Sequence, residues 1–206
     1  MTHFRLHARG FTLLEVLIAI VIMSIGVFGL ASLQITAKRN NFEAVQQATA
    51  TFLVQELIER MRANPSALTT YTSDGVGRTL TGSSLTATTC NAGCAPTQMA
   101  LFDLYEWEQS INGAQEQRGG NNTGGLPSVR ACISGPAGGS GNYTIALAWR
   151  GSGDLIDPTT STCGQGSGLY NSDGGNDVRR RVLVVEESRR CLLHCLEVIA
   201  LGSNLQ

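Results

Sequence analysis

Histidine is nearly missing from this 206-residue chain: there are three, and two, His3 and His7, fall in the first seven positions. Only His194 is left to serve as a base or a metal ligand later in the chain, and it has no defensible nucleophile or carboxylate beside it. Charged side chains make up 15 %, against the roughly 25 % usual for soluble proteins. Fifteen basic and sixteen acidic residues leave a net charge of -1, so no global field draws the chain toward nucleic acid. Aromatics are 6 %, and there are only five prolines against 24 glycines. That balance argues against a dense two-layer enzyme core and for a loop-rich structure. No carboxylate pair and no nucleophile–base pair emerges, so no enzyme is expected.

What the chain does have is concentrated at one end. Phe11 to Leu33 reads FTLLEVLIAIVIMSIGVFGLASL, with Glu15 its single charge. At 1.5 Å per residue this run makes about 34 Å of helix, enough to cross a bilayer. Arg5 and Arg9 precede it, which predicts a cytoplasmic N-terminus and an exported remainder. Three readings compete. A cleaved secretory signal would use Gly29-Leu30-Ala31, but the run is longer than a usual h-region and contains a carboxylate. A plain single-pass anchor is the second. The third takes Gly10-Phe11-Thr12-Leu13-Leu14-Glu15 as a unit.

That hexapeptide resembles the N-terminus of type IV prepilins and of type II secretion pseudopilins. The resemblance implies a leader of residues 1–10, cut after Gly10 by a dedicated peptidase that also methylates the new N-terminus at Phe11. A carboxylate in a membrane segment costs about 3 kcal/mol even on lenient insertion scales. Glu15 lies roughly 6 Å of helix from the cytoplasmic end, so it can snorkel to the interface. The resemblance implies instead that it pairs with the Phe11 α-amine of a neighbouring subunit and sets the axial step of an assembly.

The helical pattern continues past the membrane run, through residues 34–64. Ala50, Leu53, Val54, Leu57, Ile58 and Met61 recur as one face of an amphipathic helix. Glu56 and Arg60 stand at i,i+4 on the other side. Arg60 and Arg62 suit the helix C-terminus, and Pro65 ends the pattern. Phe11 to Ala63 would then be a helix of about 80 Å, whose second half needs a domain, residues 65–206, to bury its stripe.

In that domain, Ser66 to Thr89 reads as loop and short irregular structure. Met99 to Ile111 suits a short helix with Leu101, Leu104, Tyr105, and Trp107 or Ile111 inward. Asn112 to Gly125 and Gly151 to Asn176 read as Gly-rich loops. Alternation marks strands around Val129–Ser134 and Tyr143–Arg150, and a final pair at Arg181–Glu187 and Cys191–Leu201. The expected fold is α+β: a long N-terminal helix packed on a four-stranded antiparallel sheet, with Gly-rich loops and disulfide staples. The resemblance implies the same pilin-like arrangement.

Further segments are similar to one minor-pilin family, the type IV pilus modification protein PilV. They are Gly26-Val27-Phe28-Gly29-Leu30-Ala31, Gln34 to Asn41, Arg60-Met61-Arg62-Ala63-Asn64-Pro65, Trp107, Leu126-Pro127 and Tyr143 to Trp149. Ser128 departs from the pattern, where glycine is expected. Ser32 stands where many major pilins carry proline. The family implies a subunit that helps start the pilus at its tip. Its partners would be the prepilin peptidase, an inner-membrane assembly platform, other minor pilins, the major pilin and a large adhesin. The closest alternative is a minor pseudopilin. A membrane-anchored periplasmic binding module is a different class.

The six cysteines, Cys90, Cys94, Cys132, Cys163, Cys191 and Cys195, lie on the exported side, where disulfides form. Cys90 and Cys94 could close a small loop. On a strand, Cys191 and Cys195 would be about 13 Å apart, too far to join each other, so each would need another partner such as Cys132 or Cys163. The Cys191-Leu192-Leu193-His194-Cys195 run is a poor metal site, because residue 194 points to the opposite face of a strand. Asn171 to Asp177 is rich in oxygen ligands, but Val182 stands where an EF-hand loop needs glutamate. Arg179-Arg180-Arg181 and Arg189-Arg190 form a basic cluster without aromatic interleaving, a weak nucleic-acid signal that solvated strand arginines explain equally well. No cofactor and no metal is expected.

Overall fold

The computed structural model describes residues 10–77, 89–90, 93–136, 141–171 and 176–188. The first helix, α1 (Leu13–Ala63), runs through both of the compact units into which the chain divides, Met1–Phe42 and Glu43–Gln206.

In the first unit every described residue is exposed. Apolar side chains lie all round the helix, from Leu13 and Leu14 to Leu33 and Ile35. A helix of this kind belongs in lipid or among other helices, and α1 is long and apolar enough to cross a membrane. Two of its hydroxyls bond to the helix itself: Ser24 donates to the Ile20 carbonyl at 2.7 Å and Thr36 to the Ser32 carbonyl at 3.3 Å.

In the second unit, α1 buries Gln46, Ala50, Leu53, Val54, Leu57, Ile58 and Met61. This is the expected stripe with Gln46 added. A 3-10 segment follows at Pro65–Tyr71, then β1 (Ser73–Gly77) and α2 (Pro96–Ile111). A small ribbon, β2 (Gln117–Arg118) with β3 (Asn121–Asn122), interrupts what reads as loop in the sequence. The sheet strands β4 (Arg130–Ser134), β5 (Asn142–Arg150) and β6 (Arg180–Ser188) come last. The four-stranded sheet runs β1-β4-β5-β6, antiparallel throughout.

Two expectations need correction. The segment 66–89 is not all loop: its beginning supplies a 3-10 segment and the edge strand β1. The register of β1 on β4 slips between Asp74 and Val76, where Gly75 adopts φ +85°, a bulge that only glycine enters without strain. Among the described residues the fourth strand of the sheet is β1; the strand expected at residues 191–201 lies outside the described residues. On α2 the inward face is Ala100, Asp103, Leu104, Trp107, Glu108 and Ile111, while Leu101 is exposed.

The sheet is covered on both faces. Tyr143, Ile145, Leu147 and Trp149 alternate toward the buried apolar cluster that includes the α1 stripe and α2. On the reverse face, the long segment after β5 lies against the sheet. A disulfide joins Cys132 to Cys163, and Tyr170 donates to the Ala148 carbonyl at 3.5 Å. This explains why Ala146 and Ala148 are buried as well, and why β5 is apolar on both faces rather than alternating cleanly.

Candidate functional site

The sequence concentrates its chemistry at Gly10, Phe11 and Glu15, and all three are exposed. Gly10, Phe11 and Thr12 precede the helix. Thr12 forms the boundary: its hydroxyl accepts the Glu15 N–H at 3.3 Å, and its carbonyl accepts the Glu15 and Val16 N–H groups at 3.1 and 3.2 Å. A helix start leaves orphan donors, and a threonine at this position satisfies one of them. The Thr-x-x-Glu spacing of Thr12 and Glu15 is the sequence signal for this cap, and it is easily hidden behind the apolar run. From there Phe11, Glu15, Val16, Ala19, Ile20 and Met23 line one shallow apolar groove. Glu15 is its only charge, placed in the first turn, where the helix dipole favours an anion.

The Arg60–Pro65 segment acts as a structural joint. Arg60 donates to Glu56 at 2.8 Å and to Asp103 of α2 at 3.2 Å. Arg62 pairs at 2.8 Å with Glu187 of β6, whose side chain is 1 % exposed. Asn64 donates to the Pro96 carbonyl at 2.7 Å. Burial alone would lower the Arg60 pKa, but the bonds to Glu56 and Asp103 outweigh it and raise it. For Arg62, the Glu187 bond is the main cause of a raised pKa. Tyr71 donates to Asp103, and burial followed by that carboxylate pushes its hydroxyl pKa well up. Sequence reasoning missed Asp103, Glu187 and Tyr71, because polar residues at apolar-phase positions carry no periodic signal.

Among the described arginines of the cluster, Arg179, Arg180 and Arg181 are each ion-paired. Arg179 pairs with Asp154 at 2.6 Å. Arg180 is fully buried, donating to Asp157 at 2.7 Å and to the carbonyls of Pro158, Ser161 and Cys163. Arg181 meets Glu43 at 3.2 Å, and Glu43 also accepts from the Ser152 N–H and hydroxyl at 2.7 and 2.8 Å. Burial would raise the Glu43 pKa, but the Ser152 bonds and Arg181 hold it below the ordinary value. The expectation of solvated arginine heads thus fails at Arg180, whose partners are carbonyls of a segment distant in sequence. Arg189 and Arg190 lie outside the described residues.

Cys90 joins Cys94, and Cys132 joins Cys163. Neither Cys132 nor Cys163 is therefore available to Cys191 or Cys195, which, with His194, lie outside the described residues. Of the Asn171–Asp177 stretch, Asp177 accepts the Gly166 N–H at 2.6 Å; residues 172–175 are outside the described set. Among the described residues no cluster of three metal-ligating side chains occurs. Ser128, the position where glycine was expected, has φ 50°. That left-handed backbone is the conformation glycine enters at least cost.

Residues 5–31 match a family model described as a prokaryotic N-terminal methylation motif. Residues 32–105 match the model of the Tt1218-like type IV pilins. The two matches adjoin: a methylation-motif match over residues 5–31 is followed by a segment similar to type IV pilins over residues 32–105. The second match ends within α2, so it covers the rest of α1, the 3-10 segment and β1 but not β4–β6. No curated protein and no solved structure matches the chain.

Proposed function

We propose that the chain is a minor type IV prepilin of the PilV kind, anchored in the inner membrane before it enters a pilus. One observation carries this reading. The first part of α1, from Leu13 to Leu33, is apolar all round and exposed, carries a single carboxylate at Glu15, and lies largely where the methylation motif matches. Peptidase cleavage after Gly10 frees the Phe11 amine. Arg5 and Arg9 keep that end cytoplasmic, and the unit from Glu43 onward is periplasmic. In assembly the apolar helix passes from lipid to a bundle of like helices. Little hydrophobic energy changes in that transfer, so packing and the pairing of Glu15 with a neighbour's Phe11 amine direct it. The subunit acts with other minor pilins in starting the fibre at its tip and presents an adhesin there.

The N-terminal sequence of the protein recovered from membranes, with and without the prepilin peptidase, tests this. A chain starting at N-methyl-Phe11 only when the peptidase is present supports it. A start at Met1 or Ser32 in both strains defeats it. The pseudopilin alternative shares the methylation motif, but the type IV pilin match over residues 32–105 favours the pilus. Deletion that abolishes twitching motility agrees with the pilus; a selective loss of enzyme secretion would assign the chain to the secretion machine. An anchored binding module, with the arginine hairpin or the Gly-rich loops as its ligand surface, would instead show as ligand binding by the fragment after Leu33 with both machines intact; Arg179, Arg180 and Arg181 are held in ion pairs.

A further inference from the structure

We infer that Thr12 is a positioning residue for cleavage: by capping α1 it keeps the Gly10–Phe11 bond outside the helix, where a peptidase can reach it. This rests on the processing reading above and adds what makes the bond available. Hydrolysis adds water to the Gly10 carbonyl, breaks the bond to the Phe11 nitrogen, and leaves a Gly10 carboxylate and a Phe11 amine. The carbonyl must be open to attack. Gly10, Phe11 and Thr12 are non-helical and exposed, and α1 begins at Leu13. The boundary is held by the Thr12 hydroxyl on the Glu15 N–H at 3.3 Å and by the Thr12 carbonyl on the Val16 N–H at 3.2 Å.

The alternative start shows why the cap matters. Without a capping side chain at position 12, the nearest upstream residue that caps with little penalty is Gly10. A helix capped there takes Phe11 as its first residue. The Gly10 carbonyl, the atom under attack, would then accept the first intrahelical bond, from the Leu14 N–H. In apolar surroundings an uncapped N–H is more costly than in water, which strengthens the pull toward that alternative. The methylation-motif match over residues 5–31, which supports the processing reading, covers this whole boundary.

The test uses the full chain in membranes with the prepilin peptidase, following conversion by pulse-chase. Three variants suffice: Thr12→Val, which keeps the shape and loses the cap, and Thr12→Ser and Thr12→Asn, which cap in other ways. Wild type, Thr12→Ser and Thr12→Asn are expected to convert at similar rates, and Thr12→Val about five-fold more slowly. In detergent kinetics the loss falls on KM with kcat unchanged, because the cap sets the fraction of substrate in the cleavable conformation. Rescue by asparagine, which shares little of threonine's shape, marks the cap rather than a side-chain contact with the enzyme. Thr12→Val converting as fast as wild type or faster, or Thr12→Asn as slow as Thr12→Val, overturns the inference while the processing reading stands. A wild-type chain that keeps its leader beside active peptidase defeats the processing reading and this inference with it.

Discussion

From Leu13 to Leu33, apolar side chains of α1 lie on every side and are exposed; from Ala50 to Met61, the same helix gathers Ala50, Leu53, Val54, Leu57, Ile58 and Met61 into one buried stripe, leaving Phe52 outside it. Leu17 is 59 % exposed and Leu57 fully buried, though both are leucines on an unbroken helix. Their fate is set by what surrounds them, not by helix propensity, which is the same for both. The first region has no apolar partner within its own unit and must find one in lipid or in other subunits. The second has its partner built in.

The sharpest way to break that contrast is a matched pair of truncations. Trp107 is fully buried and donates its indole N–H to the Leu53 carbonyl at 2.7 Å, so it docks α2 on α1. Trp107→Ala should cost about 4 kcal/mol, read from urea unfolding of the full chain in detergent. Phe28 is 79 % exposed; Phe28→Ala should move the same transition by less than about 0.5 kcal/mol. Equal effects would mean that the first region packs on the second.

A smaller contrast lies among the ion pairs of the second unit. Arg62→Ala leaves Glu187 buried without its cation, a loss of about 3 kcal/mol. Asp154→Ala removes a pair with 34 and 53 % of its side chains exposed and should cost under about 1 kcal/mol. The smallest effect is acid-dependent. The Glu43 pKa is lowered in the fold, so its stabilisation is full above the unfolded carboxylate range near 4.3 and fades as pH falls through the lower folded value. Comparing wild type with Glu43→Gln across pH 3–7 should show a difference that shrinks at the acid end; a difference constant with pH would remove Glu43's ionic role.

Much of this was legible in sequence because it depends on period and length. The α1 stripe from Ala50 to Met61 and the alternation of Tyr143 to Trp149 are periodic patterns that local geometry turns into faces. What was not legible had no such pattern. Ser73–Gly77 is short and interrupted by Gly75, and becomes a strand only because the edge of β4 offers it hydrogen bonds. On α2, Asp103 and Glu108 occupy inward positions that apolar periodicity assigns to Leu101 and Tyr105. They are buried because Arg60, Tyr71 and the Gly77 N–H satisfy them. At the candidate site, Gly10, Phe11 and Glu15 were legible as a motif, whereas the Thr-x-x-Glu cap signal of Thr12 was masked by the apolar run that follows it.

The apolar helix, its lone carboxylate, the amphipathic continuation and the α+β class all follow from residue type, spacing and run length along the chain. The edge strand β1, the burial of Arg180 under the segment after β5, the pairing of Cys132 with Cys163, and the partners of Glu187 and Asp103 came from the packed fold. Those depend on contacts between residues far apart in the chain. A buried charge or a short strand is stable only where such a contact supplies its missing hydrogen bonds.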